Sequence, residues 1–111
     1  MKEELLSNIK KILKSAELVY KASDYTSATI LYFKTAFSAI DYIILLTKGR
    51  APKDHTERFR ITEDKFPDLY EFLDKTFSIY RDTYSTSIDK ETCDKIIKDV
   101  KTIIQKYKIP I

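Results

Sequence analysis

Apolar residues recur every three or four positions along this chain, and that spacing constrains the fold more than any other feature. A step of three or four residues places side chains on one face of an α-helix, because the helix turns once every 3.6 residues. Near the C-terminus the set comprises Cys93, Ile96, Ile97, Val100, Ile103, Ile104 and Tyr107. One glycine and three prolines among 111 residues are too few for the turns of a sheet protein. The sequence therefore predicts an all-α protein.

The length of 111 residues predicts a single domain, residues 1–111, and the spacing predicts that it folds as a helical bundle. Four long helices are predicted over residues 3–21, 25–47, 66–84 and 89–108. Residues 55–61 are compatible with a short third helix, and residues 62–65 resemble a turn before the next helix begins. The second half of the second helix is apolar on most sides, which is typical of a central helix or of a dimer interface.

Residues that start and stop helices flank these stretches. Asp24, or the serine before it, and Asp89 have side chains that accept hydrogen bonds from the free amides of a first helical turn. Gly49 follows the last periodic residue of the second helix, where glycine commonly ends a helix. Pro52 then keeps the following residues out of a helix. The main break between helices is therefore predicted at residues 48–54.

Positive charge is concentrated in one short segment. The chain has 20 basic and 17 acidic residues, and the resulting net charge of +3 is too small to identify a nucleic-acid binder. Between positions 48 and 60, five basic residues stand against two acidic ones, so this segment alone carries +3 and the remainder sums to zero. The basic residues are Lys48, Arg50, Lys53, Arg58 and Arg60, and the acidic ones are Asp54 and Glu57. The excess surrounds the only histidine, His55.

Cysteine content and hydropathy indicate a cytoplasmic protein. Cys93 is the only cysteine and cannot form an internal disulfide, which suits a reducing compartment. The first residues lack the apolar core of a signal peptide. The longest apolar stretch, residues 36–46, is interrupted by Ser38 and Asp41 and is too short to cross a bilayer. We expect no membrane association, and the sequence indicates neither a metal site nor a cofactor.

Arg50 and His55 are the candidates for catalysis. Arginine can hold a phosphate, and histidine can move a proton at neutral pH when a ribose hydroxyl attacks the RNA backbone. Five positions on a helix correspond to about 140° of rotation, so the pair would not share a helix face. Two other interpretations are a phosphate contact without catalysis, and a histidine that caps or precedes a helix beside a solvated arginine. Lys53 and Arg58 are candidate nucleotide- or RNA-binding residues in the same segment.

A second motif, residues 80–85 with the sequence Tyr-Arg-Asp-Thr-Tyr-Ser, ends the predicted fourth helix. Its tyrosines continue the apolar stripe, so packing is one interpretation. In the functional interpretation, Arg81 and Tyr84 line the same groove as the loop around Arg50. They would offer a cation and a stacking ring to a nucleotide.

The order of these features resembles the HEPN superfamily, particularly its small stand-alone archaeal and bacterial members. The resemblance covers roughly residues 5–107 and rests on an aromatic pair, a glycine–proline–histidine segment, and an arginine followed by an acidic residue and a tyrosine. The stretches that carry it are Ala16-Glu17, Tyr25 to Ala28, Tyr32 to Ala39, Lys48 to His55, and Arg81 to Tyr84.

This resemblance implies an up-and-down bundle of four to five helices that forms homodimers, with a groove lined by the two motifs. It also implies nucleotide or RNA binding and a minimal nucleotidyltransferase as partner protein in a toxin-antitoxin-like system. Relatives with an Arg-x4-6-His motif are metal-independent ribonucleases, and Arg50 and His55 meet that spacing.

Two residues depart from the nucleolytic pattern. Ala51 stands where nucleolytic members usually have a polar residue, and Pro52 breaks the helix on which their motif usually lies. We therefore expect a dimeric binding module. A ribonuclease that uses Arg50 and His55 is the first alternative, and a non-catalytic assembly or scaffold subunit is the second.

Overall fold

Five α-helices make up the fold in the computed structural model, which describes residues 2–111. They are α1 (Lys2–Lys21), α2 (Tyr25–Lys48), α3 (His55–Lys65), α4 (Pro67–Asp82) and α5 (Lys90–Lys106). No strand is present among the described residues. The predicted all-α bundle is confirmed, and each of the four long helices begins and ends within two residues of its predicted bounds.

The most apolar helix, α2, lies at the centre of the bundle. It packs against α1, α4 and α5, while α3 packs mainly on α4. Phe33, Ile40 and Ile44 of α2 are fully buried, so this helix contributes to the core on several sides. By length and composition α2 could also cross a membrane, and 61% of its most apolar 18-residue window is buried inside the fold. A core helix of a bundle meets the same criterion.

Capping residues mark the starts and the end of these helices at the positions that the sequence predicts. The side chain of Asp24 accepts from the amide of Ser27 at 3.1 Å, and that of Asp89 accepts from the amide of Thr92 at 2.8 Å. Gly49 ends α2 with φ of 81°, a left-handed conformation that glycine adopts without a steric penalty. The chain then leaves the helix, and residues 50–54 form the loop that leads to α3.

The third helix is longer than predicted, and the turn expected in its second half is wrong. α3 continues to Lys65. Thr62 stays helical and fully buried because its hydroxyl donates to the carbonyl of Arg58 at 2.9 Å. Phe66 follows as the C-cap, and its backbone φ of −136° is not helical. Proline follows, and proline disfavours the helical conformation in the residue before it.

Candidate functional site

Asp54 fixes the start of α3 within the basic segment, residues 48–60. Its side chain accepts a hydrogen bond from the amide of Glu57 at 2.8 Å, which makes Asp54 the N-cap of α3 and His55 the first helical residue. The first turn of α3 therefore stands directly against the preceding loop. Arg50 and Lys53 project from that loop next to the first turn.

Glu57 holds Arg50. Arg50 donates through Nη1 at 2.7 Å and through Nη2 at 3.3 Å to the two carboxylate oxygens, and the backbone amide of Lys53 donates to the same carboxylate at 3.0 Å. The bond from Arg50, followed by that from Lys53, lowers the pKa of Glu57 to about 2. The same pair raises the pKa of Arg50. Arg50 therefore stays charged with a side chain that is 60% exposed, but Glu57 balances its charge.

Asp41 of α2 binds the second arginine, Arg58. Its Nε and Nη2 donate to the two oxygens of Asp41 at 2.7 and 2.9 Å, and its Nη1 hydrogen-bonds to Nδ1 of His55. The guanidinium also lies 5.1 Å from the centre of the Phe37 ring. Arg58 is only 8% exposed, so it contacts His55 from the interior of the protein and little of its side chain reaches solvent.

The ring of His55 packs on an aromatic cluster while the residue remains exposed. Its centre lies 5.0 Å from Phe37, 5.4 Å from Phe77 and 6.1 Å from Tyr80, and the first two contacts are edge-to-face. Such contacts hold the ring in one orientation. His55 is therefore an ordered imidazole at the surface.

The electrostatic surroundings of His55 favour the neutral imidazole. Burial of part of the ring lowers its pKa, and the positive charge of Arg58 lowers it further. Lys34 of α2 acts in the same direction, whereas Asp41 and Asp54 act in the opposite direction. Lys34 is an exposed residue of α2, one helical turn before Phe37, whose ring contacts His55.

Tyr80 of the second motif, residues 80–85, contacts His55 of the first motif. This tyrosine is 6% exposed, and burial, with a bond to the Tyr84 hydroxyl, raises its pKa to about 12. The Tyr84 ring is 76% exposed and lies edge-to-face with Tyr80 at 5.7 Å. His55 and Tyr84 thus both contact Tyr80. We call these three residues the aromatic row.

The predicted site residues have different surroundings. His55 and Tyr84 belong to the aromatic row, and Arg58 is buried beside it. Lys53 and Arg81 are exposed, and neither side chain forms an ion pair within residues 2–111. Arg50 is held by Glu57, two positions beyond His55 on α3 and about 200° away around the helix.

Three residues of α2 were missed by the sequence reasoning. Lys34, Phe37 and Asp41 are spaced by three and four positions, so they share the face of α2 toward α3. One signal could have found this face. A carboxylate within the most apolar stretch of a chain is costly unless it is paired, so Asp41 indicates a cation from another element.

Among residues 2–111, no group of three or more His, Cys, Asp or Glu side chains is placed to hold a metal ion. No protein-family model, curated protein or solved structure matches the chain at a significant level. The resemblance to HEPN proteins therefore rests on the sequence motifs alone.

Proposed function

We propose that this protein is a HEPN-type binding module for phosphate-bearing ligands, nucleotide or RNA, and that the aromatic row and its neighbouring cations form the site. The observation that carries the proposal is the aromatic row itself. His55 and Tyr84 are exposed residues whose rings lie 6.1 and 5.7 Å from the buried Tyr80 ring, and Lys34 is an exposed cation one helical turn before Phe37, which contacts His55. A donor for phosphate and a ring for a base are thus both exposed beside one buried ring.

Unpaired cations support this assignment. Arg50 and Arg58 are balanced by carboxylates, so they add little attraction for an anion. Lys34, Lys53 and Arg81 are exposed without an ion-pair partner in the described part of the chain. Unpaired positive charges attract phosphate groups and release counterions when they bind them.

Tyr84 supports a nucleotide rather than a simple anion. Tyr84 is 76% exposed, so its ring is open to solvent and accessible to a flat ligand. Bases of any identity stack on such rings. A nucleotide that places phosphate near His55 and a base on Tyr84 would use both ends of the aromatic row.

Fluorescence anisotropy with labelled single-stranded RNA and with labelled ATP tests the proposal. We expect binding that weakens steeply as salt rises from 50 to 200 mM, because phosphate contacts dominate it. Labelled polyglutamate is the control, since it carries charge without phosphates or bases. Absence of binding to RNA and ATP, or equal binding of polyglutamate, would refute the proposal.

Assembly and partner follow from the resemblance. The proposal includes a homodimer and a minimal nucleotidyltransferase partner in a toxin-antitoxin-like system in the cytoplasm. Sedimentation equilibrium measures the oligomeric state, and co-expression and co-purification with a minimal nucleotidyltransferase test the partner.

The alternative is a metal-independent ribonuclease that uses Arg50 as phosphate clamp and His55 as proton carrier. The exposure of both side chains favours it. RNA incubated with wild type and with His55→Ala should then give different fragment yields, and equal yields would end this alternative. A scaffold subunit would instead show protein binding that survives high salt.

A further inference from the structure

The contact between Arg58 and His55 determines which ring nitrogen carries the proton. Arginine presents five N–H donors and no acceptor. The hydrogen bond from Arg58 Nη1 therefore requires a lone pair on Nδ1 of His55. A neutral imidazole that accepts at Nδ1 carries its hydrogen on Nε2.

Asp41 keeps Arg58 in that position. Two parallel hydrogen bonds of 2.7 and 2.9 Å bind the guanidinium to the carboxylate, and the two side chains are 9% and 18% exposed. If Arg58 turned away, a carboxylate would be left unpaired in a region with little water, which is costly. The orientation of the guanidinium is therefore decided by α2 before any ligand binds.

The Nε2–H group of His55 is left free for a ligand. It forms no hydrogen bond within residues 2–111, and the residue is exposed. Phe37 and Phe77 cover other parts of the ring. The site consequently offers a single oriented N–H donor, and the positive charge of Lys34 on the facing side of α2 favours an anion as its acceptor.

We propose that Asp41 and Arg58 are positioning residues that hold His55 neutral, with its proton on Nε2, as a hydrogen-bond donor to a phosphate oxygen. The identity of the ligand rests on the proposed function. RNA cleavage by a ribose hydroxyl needs a base that takes the hydroxyl proton and an acid that protonates the leaving oxygen. His55 in this state has no free lone pair for the first step, so the site binds phosphate without cleaving the chain.

The charged groups around His55 are consistent with a neutral ring at pH 7. Lys34 and Asp41 act on it from α2, Asp54 from the loop before α3, Arg58 from α3, and Tyr80 lies beside it on α4. The two cations lower the pKa of His55 and the two carboxylates raise it. The Tyr80 phenol stays protonated because burial raises its pKa to about 12. Partial burial of the ring and the direct contact with Arg58 then decide the balance.

NMR spectroscopy of ¹⁵N-labelled protein tests the inference, and the single histidine makes the signals unambiguous. Two-dimensional ¹H–¹⁵N spectra of the free wild type should show a protonated Nε2 and an unprotonated Nδ1 at pH 7. In Arg58→Lys the charge remains, but a point ammonium cannot contact both Asp41 and His55 as the planar fork does. This variant should show a mixture of both tautomers. Arg60→Lys, a substitution on an exposed arginine of the same helix, should keep the wild-type pattern.

A second variant separates the loss of the Arg58–His55 contact from the effect of misfolding. Asp41→Asn/Arg58→Met leaves no unpaired buried charge, and it should also give mixed tautomers, together with a pKa of His55 that rises toward 6.5. A wild type with its proton on Nδ1, or both variants with wild-type tautomer and pKa, would overturn the inference.

Addition of single-stranded RNA separates this inference from the proposed function. We expect the Nε2–H resonance to shift and no RNA fragments to appear. Fragments that depend on His55 would overturn the inference although RNA binds. If RNA does not bind but the tautomer is as expected, the proposed function fails and the role of Asp41 and Arg58 stands.

Discussion

The guanidinium of Arg50 makes a two-point contact with the carboxylate of Glu57, with Nη1 and Nη2 at 2.7 and 3.3 Å from its oxygens. Glu57 follows His55 by two positions, which is about 200° around a helix. The loop arginine is therefore engaged on a different side of α3 from the imidazole. The two groups that the sequence spacing pairs have separate partners, Glu57 for Arg50 and Arg58 for His55.

Glu57→Gln is expected to remove a pH-dependent contribution to stability. The pKa of Glu57 is about 2 in the fold against an ordinary 4.5, so the native state binds fewer protons than the unfolded chain between these values. The contribution is complete above about pH 4.5 and is lost as the pH falls toward 2. Urea unfolding between pH 2 and 6 measures it, and the difference between wild type and variant should shrink at acid pH.

Glu91→Gln is the matched control for this prediction. The Glu91 side chain is 82% exposed, and its distance to Lys95 is 3.8 Å, so its loss should change stability little at any pH. If both variants followed the same pH dependence, the assigned role of the Arg50–Glu57 pair would be wrong.

Most of the fold follows from local patterns. The apolar spacing of α5 and the caps Asp24 and Asp89 involve residues within a few positions of one another, so the sequence predicts these helices closely. The length of α3 was underestimated because Thr62 looks like a turn residue. Its buried hydroxyl instead bonds to the carbonyl of Arg58, an interaction that exists only once the helix has formed.

The site was predicted less completely because its central contact crosses between helices. His55 and Tyr84 were identified from the motifs, but Asp41 and Arg58 are 17 residues apart in sequence. Their pairing depends on how α3 lies over α2, which periodicity within one helix does not specify. The spacing between Arg50 and His55 likewise carries no information about Glu57, the residue that binds the arginine.

The stability of the wild type is expected to rise with pH through the titration range of His55. Because the pKa of His55 is lower than 6.5 in the fold, the unfolded chain binds more protons between the two values, and the free energy of unfolding increases with pH there. No other histidine is present. Urea unfolding between pH 5 and 7 should show this rise for the wild type and a flatter profile for His55→Gln. Identical profiles would show that the fold does not lower the pKa of His55.

Lys34→Ala is expected to weaken RNA binding and to lower its salt dependence. Each phosphate contact with a single strand contributes about 0.7 to the slope of log K against log salt concentration. The slope of the variant should therefore be about 0.7 smaller in magnitude than that of the wild type. Lys11→Ala is the control. Lys11 lies on α1, a helix that packs on α2, and its replacement should keep the wild-type slope. An unchanged slope in Lys34→Ala would place the phosphate elsewhere.

Tyr84→Ala is expected to reduce affinity for single-stranded RNA while Tyr84→Phe does not. Stacking of one base on an aromatic ring contributes about 1–3 kcal/mol, which corresponds to roughly 5- to 150-fold in affinity. Phenylalanine keeps the ring and loses only the long 3.4 Å contact with the Tyr80 hydroxyl. Anisotropy titrations of both variants distinguish stacking from hydrogen bonding. Equal losses in the two variants would assign the role to the hydroxyl group.

Asp41→Ala is expected to destabilise the fold more than the double replacement Asp41→Ala/Arg58→Met. The single change leaves a guanidinium that is 9% exposed without its carboxylate, and removal of one partner of a buried pair costs about 3–5 kcal/mol. In the double variant neither charge remains, so the losses should not add. Urea unfolding of the two single variants and the double variant gives the coupling energy, and the exposed Glu91–Lys95 pair should give none. Additive losses at Asp41 and Arg58 would mean that the carboxylate does not hold the guanidinium, and His55 would then lose the support that orients its proton.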